Sequence, residues 1–515
     1  MTRRQLFTVH ALVHDAAERF GGAPAVSDGD RSLSFAELRD AGLAGARVLG
    51  SRGVGRGDRV GICMAKSVDQ VVAIVAVLLA DAVVVPILPG LKRDNIEHIV
   101  RDAGLSTAIA DEARAPELTA AGPELSPLFA TDLTGAGSRA GEAPRPAQHA
   151  VGSDCAAIIY SSGSTGRPKG IMVSHRNLWD GARITASYLG TRTDDCIGSL
   201  LSLNFDYGLN QLWQALLTGA RLCLHQLLFP VDVFTFIARE RVTALPVMPA
   251  VITRMFDPHL LRSWPADDLT SVRYVSSSGG AVSPHMLDNL RRAFPAAEIF
   301  LMYGLTEAFR STYLEPDQLA RRPTSIGRAI PDVEILVLDD QGRRVAAGEP
   351  GELVHRGGCV AKGYWNAPEE TARRFRRLPE FPGETVVFSG DIVTSDEEGY
   401  LYFVGRRDAM IKTSGFRVSP TEVEEVAVRF PGLDTCVAVD LPNIEIGADI
   451  ALVYTASSPV DEASLSAYLR EALPTHMVPR FLLQQPSLPT TGNEGKIDRP
   501  AVRAVASEVL RRAQG

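Results

Sequence analysis

Lysine is the charged residue this chain uses least. Of 53 basic side chains only six are lysines, at Lys66, Lys92, Lys169, Lys362, Lys412 and Lys496, and arginine supplies the rest. A compact ammonium and a planar guanidinium are not interchangeable at a tight phosphate, so these few positions are the first places to look for phosphate chemistry. The six cysteines are scattered and form no C-x-x-C pair. That pattern excludes a disulfide framework or zinc ribbon and fits reduced thiols in cytoplasm. The ten histidines form no H-E-x-x-H cluster. A net charge of −8 lacks the basic surface that general nucleic-acid or membrane-surface binding requires. Residues 1–19 contain no apolar h-region and no cleavage signature. The most apolar stretch, 71–88, contains Asp81 and Pro86 and is followed by Pro89, which suits a buried helix running into a buried strand rather than a membrane span. No internal repeat is visible.

The chain has 515 residues, too many for one core, so two or more domains are expected. Its 45% hydrophobic and 22% charged content is that of an ordinary globular protein. Ser34-Phe35-Ala36-Glu37 reads as a capping box. Gly53, Gly55 and Gly57 punctuate the approach to a buried strand over 59–63, and a helix over 67–79 and a strand over 83–88 follow. This βαβ rhythm implies a mainly parallel sheet covered by helices. Residues 112–153, rich in Ala, Pro and Gly, read as linker and loop. A second βα series runs from Cys155 to about Glu315, and 327–398 reads as a β-rich subdomain. A small α+β unit begins at Asp408, with helices over 421–430 and 462–473. The fold class is α/β: a large N-terminal domain of βαβ layers with a β-rich subdomain, 1–407, and a small α+β domain, 408–515.

The densest local signal is Ala156-Ala157-Ile158-Ile159-Tyr160-Ser161-Ser162-Gly163-Ser164-Thr165-Gly166-Arg167-Pro168-Lys169-Gly170. An apolar strand runs into a loop of glycines and hydroxyls with one lysine. Glycines let backbone N–H groups converge on phosphate oxygens, hydroxyls add donors, and Lys169 adds charge. The G-x-x-x-x-G-K-[ST] pattern is absent, so this is not a Walker A loop.

That segment resembles the phosphate-binding signature of the ANL superfamily of adenylate-forming enzymes, which includes acyl-CoA synthetases and stand-alone adenylation domains. Further motifs similar to the family's follow in order over nearly the whole chain: Ser276-Ser277-Ser278-Gly279-Gly280-Ala281, Tyr303-Gly304-Leu305-Thr306-Glu307, Gly351-Glu352-Leu353, Lys362-Gly363-Tyr364-Trp365, Ser389-Gly390-Asp391, Gly405-Arg406-Arg407-Asp408 and Gly495-Lys496-Ile497-Asp498-Arg499. The resemblance implies an ATP- and Mg²⁺-dependent, AMP-forming ligase. Ser161 to Gly166 and Lys169 would hold phosphates, and Gly279, Gly280, Ala281, Tyr303 and Gly304 would lie on the adenine side. Thr306 and Glu307 would handle the phosphates and Mg²⁺, a hard cation that takes oxygen ligands. Asp391 would accept from the ribose hydroxyls with Arg406 beside it. Lys496 would be the catalytic cation, stabilising charge that builds on the α-phosphate. Asp408 would be the hinge of a mobile C-terminal domain; a rigid turn is the alternative. One departure concerns the last loop, Thr491-Gly492-Asn493-Glu494-Gly495-Lys496, which is one residue longer than the family's T-x-[NST]-G-K and sets Glu494 beside Lys496.

For the acid, Phe205 stands where acyl-CoA synthetases of the family often carry histidine. Phe205-Asp206, followed by Tyr207, resembles the pair by which amino-acid-activating domains hold a substrate ammonium. The competing role of Asp206 is to cap a helix over 208–217. Arg310 is open to three uses: pairing with Asp206, contacting an anionic substrate group, or facing solvent. No carrier-like segment follows Lys496, so the thiol acceptor is expected from outside, as coenzyme A or the phosphopantetheine of a separate carrier protein. The expected partners are thus a small acid and such a thiol, with no nucleic acid and no membrane span, and the expected location is cytoplasmic. Three alternatives stand beside this reading. They are a diazotase activating nitrite for an arylamine, a non-catalytic nucleotide sensor, and an ATPase or kinase releasing ADP.

Overall fold

The helix Phe35–Ser51 begins where its capping box requires. The Ser34 hydroxyl accepts from the Glu37 N–H, and the Glu37 carboxylate accepts from the Ser34 N–H at 2.8 Å. This computed structural model describes the chain except for residues 1–6, 30, 92, 123, 136–148, 163–167, 228, 258–260, 262–267, 408–409, 414–415, 444–446, 492–495 and 515. At 162, 412, 416–417, 447, 491, 496 and 513–514 it describes backbone alone. The described residues gather into two compact units, 1–335 with 354–387, and 336–353 with 388–515.

The first unit holds two sheets with helices between and around them. One runs Ser126–Phe129, Thr107–Ala110, Arg59–Cys63, Val83–Pro86, Cys155–Ser162 and Pro168–Ser174 in spatial order, parallel except for the last, antiparallel pair. In the other, Glu298–Tyr303, Tyr274–Ser277, Ala244–Val247, Cys196–Ser199, Arg221–Leu224 and Pro24–Asp28 run parallel as neighbours. Arg31–Ser34 ends this sheet on one side, and on the other Thr312–Leu314 and then Ser325–Ala329 continue it, all antiparallel to their neighbours. The helix Val68–Leu79 is buried at every position but Asp69. An all-round apolar helix is a core helix, and this one packs with Val26, Leu38, Leu49 and Ile159 in one hydrophobic cluster. The apolar run 71–88 is therefore a buried helix followed by a buried strand. No helix among the described residues is long and apolar enough to cross a membrane.

The described residues of 112–153 hold more regular structure than their composition suggests. They hold the helices Ala115–Ala121 and Ala130–Gly135 and the edge strand Ser126–Phe129, with Leu118, Leu128 and Leu133 at most 1% exposed. Elements this short show too few apolar repeats to reveal a period, and Pro127 is tolerated because the strand is at an edge. The β-rich stretch 327–398 also contains a helix, Pro368–Arg374. The helices expected over 421–430 and 462–473 are Pro420–Ala427 and Glu462–Ala472.

In the second unit, Leu433–Asn443 pairs antiparallel with Gly447–Ala456, and Phe481–Gln484 adds a parallel strand. Successive side chains take opposite faces. Cys436 and Ala438 join a cluster with Val423, Ala427, Leu465 and Leu469, whereas Val437 and Val439 join Val502 and Ala506. Arg499, in the last motif, clamps Glu424 through Nη1 at 2.6 Å and Nη2 at 2.7 Å, which ties the start of the helix Arg499–Gln514 to the helix Pro420–Ala427.

Ser34→Ala removes the cap of the helix Phe35–Ser51 and is expected to cost about 1 kcal/mol of stability. Urea unfolding checks this as a lowered midpoint at unchanged slope.

Candidate active site

Parallel strands deliver their carboxyl ends to one edge of a sheet, and in open α/β sheets that edge is where ligands bind. Cys196–Ser199, Ala244–Val247, Tyr274–Ser277 and Glu298–Tyr303 are mutually parallel, so the segments that follow them leave from the same edge. Those segments carry Phe205 to Tyr207, Met248, Gly279 to Ala281, and Gly304 to Arg310.

The helix Asp206–Thr218 starts two residues before the expected 208, with Phe205 at the N-cap and no side-chain cap. Asp206 is thus the first helical residue, and Oδ1 accepts from the Tyr207 N–H at 2.7 Å instead of capping the next turn. Gly208 makes this start possible, because a Cβ there would lie 1.9 Å from the Ser202 carbonyl oxygen. Burial raises the Asp206 carboxyl above its usual range, opposed by the nearby Arg310 and by bonds from the Tyr207 backbone and the Thr306 hydroxyl. Tyr207 is buried and its hydroxyl reaches the Ser276 carbonyl at 2.9 Å. That bond joins the segment bearing Asp206 to the strand leading into the exposed Gly279, Gly280 and Ala281.

The loop residues Gly163, Ser164, Thr165 and Gly166 lie outside the described residues, but its stem is clear. Cys155–Ser162 and Pro168–Ser174 form a hairpin in which Ser161 faces Lys169 and Ser162 faces Pro168. Residues 362–365 run along the second arm. Lys362 N–H donates to the Met172 carbonyl, Met172 N–H to Gly363, and Trp365 N–H to Gly170. This pairing sets Tyr364 opposite Ile171. The Tyr364 hydroxyl donates to Glu307 Oε1 at 2.6 Å, and the Lys169 ammonium lies 5.8 Å from the Tyr364 ring centre. The Ala361 N–H also donates to the Glu307 carbonyl. Lys169 and Glu307, 138 positions apart in the numbering, therefore meet around one phenol. Lys169 also pairs with Glu370 at 2.7 Å, which holds the Glu370 carboxyl below its usual range. Tyr364 and Glu370 were not among the expected site residues. The motif Lys362-Gly363-Tyr364-Trp365 contains Tyr364, but no local signal marks Glu370. Lys362 instead donates to the Ser153 carbonyl at 2.8 Å.

Among the described residues no three His, Cys, Asp or Glu side chains are grouped to hold a metal ion. Glu307 therefore fits Mg²⁺ only in the way that ion is usually held with nucleotides, by one carboxylate plus phosphate and water oxygens.

Tyr303 ends the strand Glu298–Tyr303, facing Thr312 of the next strand. Between Glu307 and Arg310 the chain turns sharply: Phe309 has φ +60, a left-handed conformation that bulky residues rarely adopt. Packing over-determines it, with Phe309 buried among Ile184, Ile330 and Cys359. Its ring also lies against Gly181, where a Cβ would sit 2.5 Å away. After this turn Arg310 is 3% exposed, with its guanidinium 4.2 Å from the Tyr207 ring centre. Of the three uses open to Arg310, facing solvent is excluded.

In the second unit Asp391 and Arg406 are cross-strand partners, on Phe381–Ser395 and Leu401–Arg406, and their side chains approach to 3.2 Å. Gly390 N–H donates to Glu352, which Arg407 also pairs at 3.0 Å. Lys496 lies on the two-residue strand Lys496–Ile497 paired with Thr490–Thr491. Its side chain, with Glu494 and the expected hinge residue Asp408, lies outside the described residues.

A family model for "AMP-binding enzyme" matches residues 13–365. The chain is 33% identical over 96% of its length to phosphinothricin tripeptide synthetase PhsC of Streptomyces viridochromogenes, spanning 45% of that protein. It is 30% identical over 96% of its length to tyrocidine synthase 2 of Brevibacillus parabrevis, spanning 14% of that one. The chain thus spans less than half the length of these curated relatives. ATP-bound MatB from Rhodopseudomonas palustris superposes with a TM-score of 0.88 at 25% identity, covering 98% of this chain and 100% of that one. The fold is that of the adenylate-forming enzymes. The chain belongs to the AMP-binding enzyme family, within the ANL superfamily of adenylate-forming ligases.

Gly181→Ala forces a methyl group against the Phe309 ring. An overpacking loss of about 1–3 kcal/mol is expected, and chemical denaturation measures it.

Proposed function

We propose that this chain is an AMP-forming ligase that adenylates a small carboxylic acid and passes the acyl group to a thiol, that of coenzyme A or of a carrier protein's phosphopantetheine. The observation that carries the reading is the meeting of Lys169, Tyr364 and Glu307, three motif residues distant in sequence, in one unit with Thr306 and Asp206. Family membership supports it.

In this reading a carboxylate oxygen of the acid attacks the α-phosphorus of ATP, the bond to the bridging oxygen breaks, and pyrophosphate leaves. Ser161 to Gly166 and Lys169 hold the phosphates, Lys169 exchanging Glu370 for phosphate oxygens. Glu307, oriented by the Tyr364 hydroxyl, would hold the Mg²⁺ that accompanies ATP, which when bound would supply neutralisation of phosphate charge. Gly279, Gly280, Ala281, Tyr303 and Gly304 take the adenine side, and Asp391 accepts from ribose hydroxyls with Arg406 beside it. Lys496 stabilises the charge on the α-phosphate. Phe205, Asp206 and Tyr207 line the acid side, where a partly buried carboxylate fits a substrate ammonium. Asp408 acts as the hinge between domains 1–407 and 408–515. A thiolate then attacks the acyl carbon, and AMP leaves.

The test is pyrophosphate release from MgATP against a panel of aliphatic, aryl, amino and aminoaryl acids. Release that depends on a carboxylic acid supports the reading; release of ADP and phosphate instead overturns it. Lys496→Ala is expected to slow adenylation by about 10²–10³-fold, as loss of one transition-state donor does. ATP binding, followed by calorimetry, should persist, and equal loss of both would contradict the assigned role. Glu370→Gln frees Lys169 and is expected to lower KM for ATP by up to about fivefold, the worth of one partly exposed ion pair.

A further inference from the structure

The Arg310 guanidinium is buried with half of its hydrogen-bonding edge unused. Nη1 donates to the Phe309 carbonyl at 3.2 Å, while Nε and Nη2 have no partner and no access to solvent. Leaving charged donors unpaired inside a protein is costly. The turn that delivers them holds Phe309 at φ +60, a left-handed conformation disfavoured for a residue with a Cβ. Strain kept in place by packing and joined to unsatisfied donors is typical of a site that a ligand completes.

The surroundings narrow the ligand's chemistry. Tyr207 lies under the guanidinium, and its phenol is pushed up to about 12 by burial, so it is neutral. Burial raises the Tyr188 phenol as well; its hydroxyl contacts Met302 Sδ and its ring stacks on Tyr313 at 4.3 Å. Beside Arg310, Ser311 Oγ lies 3.0 Å from His355 Nδ1, and burial pushes that imidazole down to about 3, leaving it neutral. Asp206 is the carboxylate whose field Arg310 feels, yet Asp206 is bonded to the Tyr207 N–H and the Thr306 hydroxyl and leaves Nε and Nη2 unpaired. The guanidinium thus lies over a neutral phenol, with Asp206 near but not bonded to Nε or Nη2, and offers two adjacent N–H groups. Nε and Nη2 form the side-on fork that matches the two oxygens of a carboxylate.

We infer that the acid substrate carries a second carboxylate besides the one activated, and that Arg310 is the specificity-determining residue that binds it through Nε and Nη2. The inference rests on the ligase reading above. A carboxylate clamped side-on by a guanidinium is a poor nucleophile, so the clamped group is not the one that attacks phosphorus. With Asp206 reading an amine, the fitting class is a small amino dicarboxylic acid.

The experiment measures acid-dependent ATP–pyrophosphate exchange by the full chain. It uses short dicarboxylic acids and amino dicarboxylic acids, each beside its monoamide. The wild type should favour a diacid over its monoamide by about 10- to 100-fold in kcat/KM, the worth of charge-assisted bonds to a buried group. Arg310→Met should collapse that ratio to near unity with KM for ATP unchanged, and Arg310→Lys should restore only part of it. A thermal-shift series on the wild type covers the case of a variant that does not fold: the diacid should raise Tm and the monoamide should not. Equal use of diacid and monoamide by the wild type overturns the Arg310 assignment while leaving the ligase reading intact. A rise in KM for ATP in Arg310→Met, whatever the acid, would make Arg310 a phosphate contact and also overturn it. Exchange with no acid at all defeats the ligase reading and this inference with it.

Discussion

Parallel pairing is the constraint from which the geometry of the candidate site in the first unit follows. A parallel ladder requires a crossover between successive strands, so every strand enters at one edge and leaves at the other. Four neighbouring strands therefore release the segments bearing Asp206, Met248, Gly279 and Arg310 at a common edge. The antiparallel hairpin Cys155–Ser162 with Pro168–Ser174 turns the chain back, and residues 362–365 pair along its second arm. Backbone hydrogen bonds, rather than attraction between side chains, set Tyr364 between Lys169 and Glu307.

The charges gathered there are handled unequally. Glu307 receives a phenol and Lys169 a carboxylate. The Lys169 pair loses little when a ligand takes over the ammonium, because Glu370 is partly exposed and returns to water. Arg310 differs, since its two unpaired nitrogens are sealed from solvent. The fold holds it there through a left-handed Phe309 wedged against Gly181 and buried among Ile184, Ile330 and Cys359.

The long periodic elements and the order of the motifs were readable from the residues. The capping box at Ser34 and the buried helix after Ser67 are local patterns whose physics acts within a turn or two of chain. The short elements within 112–153 were not readable, because six or seven residues carry too little periodicity. The start of the helix at Asp206 was misplaced by two residues, because its entry depends on the close approach of Ser202 to Gly208. Cys196 and Cys223 look scattered in the chain, yet adjacent strands bring their sulfurs to 3.0 Å.

The sequence by itself determined the family, the α/β class and which residue types stand ready for nucleotide chemistry, since these reside in local patterns and motif order. Only the tertiary structure decided that Tyr364 and Glu370 complete the surroundings of Lys169 and Glu307. It alone turned Arg310 from three open uses into a buried, unsatisfied cation. Contacts across more than a hundred residues, and the burial that sets the cost of an unpaired charge, exist only once the sheets are assembled.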